Sequence, residues 1–193
     1  MSFFPAYLKL DNKKILVIGG GKIAGDKISH LLDFTNNITV IAPKIDEKVK
    51  DLIEKNKLAF IKREYEKGDV EDFFIVVVAA DDIELQKKVY NECQEKKILC
   101  NSVDSIEYCD FIFPSYIKKE DLIISFSTSG ASPALSKYLR RAIENLIPED
   151  ITDFIKEIKN LRAKLPKGKE RMKLLDKKAK EYIEKYFKKD ENV

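Results

Sequence analysis

The sequence predicts an α/β fold built on a Rossmann-like, doubly wound parallel sheet, followed by a small second region and a C-terminal helical region. Three observations predict it. Short apolar runs alternate with helical patterns over the first 113 residues. One run, Ile15-Leu-Val-Ile18, leads straight into Gly19-Gly-Gly21 and then a helical pattern. Another, Phe73–Ala80, is continuously apolar, as a central strand buried on both faces must be.

Taken in order, strands are expected at 14–18, 38–42, 58–61, 74–79, 98–100 and 111–113. Helices are expected at 22–34, 46–56 and 82–96. The connection 62–73 is short and charged, so irregular backbone is expected there. Pro114 marks a composition break. A polar turn at 118–121, an apolar stretch at 122–126 and a small-residue loop at 127–133 follow it. A helix then runs from about 134 to 146 and is closed by Pro148. Two amphipathic helices, 151–163 and 170–187, flank a break at Leu165-Pro-Lys-Gly-Lys169. The domain organisation expected is 1–113, 114–148 and 149–193.

The chain has 193 residues, of which 44% are hydrophobic and 36% charged, with a net charge of +3. That balance describes a globular protein and gives no general case for binding nucleic acid. The longest apolar run is far too short to cross a bilayer. The first residues lack the basic region and long apolar core of a secretion signal, so a cytoplasmic location is expected. Cys93, Cys100 and Cys109 are odd in number and show no C-x-x-C spacing, and His30 is the single histidine. Neither a disulfide framework nor a metal site is expected.

The chemistry starts at Gly19-x-Gly21-x-x-Ala24. Gly19 supplies the tight turn, Gly21 lets backbone approach a pyrophosphate, and Ala24 permits close helix–strand packing. The N–H groups and positive end of the following helix attract that pyrophosphate, with Gly20, Lys22 and Ile23 beside it. Ligands of such sheets bind beyond the carboxyl ends of the strands. The segments 19–24, 42–43, 80–82 and 101–104 all fall at those ends and are expected to converge. Strand two ends in Ala42-Pro43-Lys44, without the acid that usually holds a ribose 2′-hydroxyl. The residues alone therefore do not choose between NAD and NADP.

Of Asp81 and Asp82, one is expected to cap the helix that follows. Asn101 and Asp104 suit an Asx turn, and a carboxylate at that rim also suits a general base. Ser132 is the expected N-cap of the helix after the small-residue loop, with Pro133 at its first position. Lys137, Arg140 and Arg141 give that helix a basic face suited to a substrate bearing carboxylates.

Together these motifs resemble the precorrin-2 dehydrogenases, a family that includes the amino-terminal module of siroheme synthases. The resemblance runs from Phe4-Pro-Ala-Tyr-Leu-Lys-Leu10 through Gly19-Gly-Gly-Lys-Ile-Ala24 and Lys27. It continues through Val40-Ile-Ala-Pro43, Ala79-Ala-Asp-Asp82, Asn101-Ser-Val-Asp104 and Phe111-Ile-Phe-Pro-Ser115. It ends with Ser127-Thr-Ser-Gly-Ala-Ser-Pro-Ala-Leu135 and Leu139-Arg140. The chain departs from the family's pattern at Asp26, Ala80, Ser102, Thr128 and Ser129.

The resemblance implies oxidation of precorrin-2 to sirohydrochlorin with NAD as cofactor. Some members also insert Fe²⁺. It implies that Asp104 is the catalytic residue and that Ala42, Pro43, Ala80, Asp81 and Asn101 join the glycine loop at the cofactor. It further implies that Thr128, Ser129, Lys137 and Arg140 meet the substrate, and that the protein is a homodimer joined through 114–146. A non-catalytic NAD(H)-sensing module is the rival reading. It calls for a separate DNA-binding or membrane-docking region, and the terminal helices carry no helix-turn-helix layout.

Overall fold

A computed structural model describes residues 3–103 and 105–187. The chain divides between Phe113 and Pro114 into two units. The first is a five-stranded parallel sheet of β1 (Ile15–Ile18), β2 (Ile38–Ile41), β3 (Ala59–Ile61), β4 (Ile75–Val78) and β5 (Leu99–Ser102). Its spatial order is β3-β2-β1-β4-β5. The chain reverses direction across the sheet between β1 and β4, and the carboxyl end of β1 therefore lies at a topological switch point.

Side chains alternate across the strands and build two cores. Ile15, Val17, Ile38, Val40, Ile75 and Val77 pack on one face. They meet Ala24, Ile28 and Leu31 of α1 (Lys22–Leu32) and Val49 of α2 (Glu47–Asn56). Leu16, Ile18, Ile41, Val76 and Val78 pack on the other face, against Val89 and Cys93 of α3 (Ile83–Lys96). β1 and β4 are buried at every position, which is why their sequences read as unbroken apolar runs.

The connection 62–73 forms no helix and is held by side chains instead. Tyr65 Oη donates to Glu92 Oε2 at 2.5 Å, and the Gly68 N–H donates to Glu92 Oε1 at 2.8 Å. Arg63 grips Asp69 through both guanidinium nitrogens at 2.6 and 2.7 Å. Val70, fully buried, anchors the segment to the α3 side of the sheet.

One expected strand does not form. Residues 111–113 add no sixth strand to the sheet. The chain returns antiparallel beside β5 through a single bridge, Asn101 to Cys109. The Asp110 carboxylate accepts from the Cys100 N–H at 2.8 Å, in the place where a neighbouring strand's carbonyl would stand. Phe111 and Phe113 then turn into the α1–α2 side of the core.

In the second unit β6 (Ser115–Lys119) and β7 (Leu122–Phe126) form an antiparallel hairpin. It is followed by α4 (Pro133–Glu144), α5 (Ile151–Lys164) and α6 (Lys169–Phe187). Ser132 caps α4 by accepting from the Leu135 N–H, and Pro133 opens the helix. α4 stops at Glu144, four residues before Pro148. Lys156 of α5 pairs with Glu120 in the hairpin turn at 2.9 Å, and Lys159 pairs with Asp121. Phe154 stacks on Tyr182 with ring centres 4.0 Å apart. Tyr182 and Tyr186 both donate to the Asp150 carboxylate at 2.6 Å, which holds it below its ordinary carboxylate range.

Candidate functional site

β1 delivers its chain into the glycine turn. Gly19 has φ of +119°, a region open to glycine and strained for other residues, and its N–H donates to Ile41 O at 2.9 Å. A Cβ on Gly19 would lie 2.3 Å from the Ala79 carbonyl oxygen, so the turn after β1 presses on the segment after β4. A Cβ on Gly20 would lie 2.2 Å from Lys44 O and 3.0 Å from the Ala42 side chain, so it presses equally on the segment after β2. The Gly20 carbonyl accepts from the Asp46 N–H at 2.8 Å. Three strand ends expected to converge therefore do so, by backbone contact.

Gly21 differs from its neighbours. A Cβ there would meet nothing within 4 Å among the described residues. Gly21 is also the N-cap of α1, in extended conformation, with no side-chain cap and no acidic residue in the first turn behind it. α2, α3 and α4 each have their N-terminal N–H groups answered by Asp46, Asp82 or Ser132. α1 thus presents open space, uncommitted donors and the positive end of its dipole at one point. Those properties fit a pyrophosphate. Ala24 is completely buried, as the third position of the motif requires. Lys22 and Ile23 are exposed on the first turn.

Ala42 is buried and Pro43 exposed. Beyond β2 and β3 lies a groove of about 380 Å³ lined by Pro43, Lys44, Ile45, Phe60 and Lys62. The Ala80 carbonyl accepts from Gln86 Nε2 at 2.9 Å. Asp82 caps α3 by accepting from the Leu85 N–H at 3.0 Å, which leaves Asp81 exposed with no capping duty. Asn101 is buried on β5, opposite Val77 of β4. Its Nδ2 donates to Phe111 O at 2.9 Å, while Oδ1 has no partner among the described residues. Asp104 lies outside the described residues.

The substrate residues expected on the second unit divide between the loop before α4 (Thr128, Ser129) and α4 itself (Lys137, Arg140). Thr128 Oγ1 accepts from the Ser132 N–H at 2.9 Å. Ser129 has a left-handed φ of 51°, and its N–H donates to Ser127 Oγ. Lys137 is exposed on α4. Arg140 is not a free cation: it pairs with Glu144 one turn on, at 2.5 Å. Arg141 stands over the Tyr138 ring.

Sequence reasoning missed Gln86, which holds the backbone after β4. Its signal was available, because Gln86, Val89, Glu92 and Cys93 recur at helical spacing on the buried stripe of α3. A glutamine and a glutamate on such a stripe need partners, and both have them. Gln86 keeps one atom over, Oε1, which is buried without a partner among the described residues.

A parallel sheet with a glycine turn and an uncapped helix at its switch point defines a dinucleotide-binding protein. Residues 6–115 match the family described as putative NAD(P)-binding. The siroheme synthases of Mannheimia succiniciproducens and Neisseria meningitidis serogroup C are each 33% identical to this chain, over 151 and 153 residues. Those stretches cover 78% and 79% of this chain but 32% of each relative, so the chain spans about a third of their length. A solved structure described as SirC, precorrin-2 dehydrogenase, is similar with a TM-score of 0.76 and 26% identity, over 95% of this chain and 100% of that one. The chain belongs to the putative NAD(P)-binding family that unites precorrin-2 dehydrogenase with the N-terminal module of siroheme synthases.

Proposed function

We propose that the chain oxidises precorrin-2 to sirohydrochlorin in siroheme synthesis, with NAD⁺ as acceptor and a homodimer as the working unit. The observation that carries the reading is the likeness to SirC, which spans the whole of that chain and 95% of this one. The glycine cradle described above supplies the physical ground for the cofactor.

The reaction balances as precorrin-2 plus NAD⁺ giving sirohydrochlorin, NADH and a proton. Bound NAD⁺ supplies the hydride acceptor. The chain's own residues supply the rest. Gly19, Gly20 and Gly21 seat the pyrophosphate, and Lys22, Ile23 and Ala24 begin the helix behind it. Ala42, Pro43, Ala80, Asp81 and Asn101 border the remainder of the cofactor. Asp104 takes the proton that leaves the macrocycle. Thr128, Ser129 and Lys137 receive its carboxylates, and Arg140 joins them by exchanging its Glu144 partner for a substrate carboxylate. Charge distribution supports this division of labour: Lys and Arg outnumber Asp and Glu only after residue 113. Leu135, Tyr138 and Leu139 expose apolar surface on α4, which supports pairing of two copies there.

The test is purified chain mixed with precorrin-2 and NAD⁺ and followed by absorbance. Coupled appearance of NADH and sirohydrochlorin is expected. NAD⁺ binding without turnover would favour the non-catalytic sensing module. A parallel sample with Fe²⁺ distinguishes a dehydrogenase from one that also inserts iron. Light scattering showing only monomer at micromolar concentration would remove the dimer.

A further inference from the structure

We infer that Gln86 is a positioning residue for the dinucleotide: by holding the Ala80 carbonyl it turns the Asp81 N–H toward the ribose that bears the nicotinamide. The inference rests on the dinucleotide reading of the glycine turn.

Gln86 lies near the start of α3, on its buried stripe with Val89 and Cys93, and is 4% exposed. Its Nε2 donates to Ala80 O at 2.9 Å, and its Oε1 is buried with no partner among the described residues. A buried amide oxygen without a donor costs free energy, and an apolar side chain of similar size would avoid that cost. Stability alone therefore accounts poorly for a glutamine here. What its one side-chain bond does is fix the peptide between Ala80 and Asp81. No described peptide bond is cis, so the Asp81 N–H points opposite to the Ala80 carbonyl. The carbonyl is turned toward α3 and the N–H away from it. That N–H has no acceptor among the described residues, and Asp81 is exposed.

The donor stands beside the glycine turn. A Cβ on Gly19 would lie 2.3 Å from Ala79 O and 3.3 Å from the Ala80 nitrogen. β2 and β4 flank β1 on opposite sides. In a Rossmann sheet the pyrophosphate sits at the turn after the first strand and the adenosine ribose beyond the second. The other ribose then lies on the β4 side, where Asp81 stands. Asp81 offers that ribose two groups from one residue. Its N–H donates to a hydroxyl oxygen, and its carboxylate, which pairs with no cation among the described residues, accepts from a hydroxyl hydrogen. A neutral sugar hydroxyl uses both, whereas the carboxylate would repel a phosphate. A peptide oriented before the ligand arrives also spares the loop an ordering cost on binding.

Amide NMR spectra of the intact chain, titrated with NAD⁺, test this without any turnover. In the wild type the Asp81 amide is expected to exchange quickly with water in the free protein and slowly at saturating NAD⁺. The amides of Gly20, Gly21, Lys22 and Ile23 should shift in the same titration. Gln86→Met keeps the side chain's length and its fit to an apolar stripe but loses the bond to Ala80 O. It should melt near the wild-type temperature and bind NAD⁺ about tenfold more weakly, the worth of about one hydrogen bond. At saturation its glycine-turn amides should still shift, while its Asp81 amide goes on exchanging quickly. A wild-type Asp81 amide indifferent to NAD⁺, beside glycine-turn amides that shift, overturns the inference and leaves the glycine-turn site standing. So does a Gln86→Met chain with wild-type affinity and a protected Asp81 amide. A Gln86→Met chain that does not fold overturns it too, since the glutamine would then serve the fold itself. Glycine-turn amides that ignore NAD⁺ overturn the inference together with the reading on which it rests.

Discussion

The Cα hydrogen side of Gly19 faces the Ala79 carbonyl so closely that a methyl group there would sit 2.3 Å from its oxygen. Two residues later a Cβ on Gly21 would meet nothing within 4 Å among the described residues. The two glycines of one motif therefore serve different ends, and substitution separates them. Gly19→Ala meets both a left-handed φ and backbone contact, and should destabilise the fold by about 2 kcal/mol or more. Gly21→Asp has room in the protein but puts a carboxylate where the pyrophosphate is expected. It should melt near the wild-type temperature while NAD⁺ affinity falls at least about tenfold. Thermal melts beside calorimetric titration check both, and unchanged affinity in Gly21→Asp would take the dinucleotide away from this loop.

Tyr65→Phe addresses the irregular connection between β3 and β4. It removes the hydroxyl that donates to Glu92 Oε2 and leaves a buried carboxylate oxygen short of a partner. A loss of about 1–3 kcal/mol is expected by urea unfolding. Tyr65 itself ionises far above its ordinary range, because burial and then the bond to Glu92 both oppose a phenolate. A variant as stable as wild type would show that Glu92 finds water instead.

The bidentate grip of Arg63 on Asp69 gives a pH signature. Hydrogen bonds from Arg63, and one from the Glu66 N–H, hold the Asp69 carboxyl below its ordinary value of 3.8. A depressed carboxyl contributes stability that is full above its unfolded value and vanishes as pH falls through its folded one. Asp69→Asn should therefore melt a few degrees lower than wild type at neutral pH. The two curves should converge as pH falls below about 4. A constant gap from neutral to acid pH would mean that the carboxylate's charge plays no part.

Asp104→Asn keeps side-chain size and removes the proposed base. Dehydrogenase turnover should fall about a hundred- to ten-thousandfold, with NAD⁺ affinity and melting temperature nearly unchanged. Wild-type turnover in the variant would end the catalytic assignment.

What the sequence made legible was whatever rests on local chemistry. The run from Ile15 to Ala24, a cap at Asp81 or Asp82 (Asp82 in the structure), the cap Ser132 and Pro133 at the start of α4 each announce themselves within a few residues. The expected strand at 111–113 failed because three residues carry too little periodicity. Phe111-Ile-Phe113 reads equally as a strand or as two rings plugging a core, and the Asp110 carboxylate had already occupied the edge of β5. The polar turn expected at 118–121 and the apolar stretch at 122–126 both fall on the β6–β7 hairpin, but the pairing itself was not legible because Glu120-Asp121 lacks the glycine that marks a two-residue hairpin turn. The pairing of Glu92 with Tyr65 spans 27 residues and has no local trace.

The backbone after β4 is fixed at three places before any ligand arrives: Ala79 against Gly19, Ala80 by Gln86, and Asp82 by its bond to the Leu85 N–H. A loop already immobilised has little conformational entropy left to lose. Dinucleotide association should therefore proceed at a rate close to that of simple docking, with no slow ordering phase, and the Ala79 amide, whose N–H donates to Ile18 O at 2.7 Å, should exchange nearly as slowly in the free protein as in the complex.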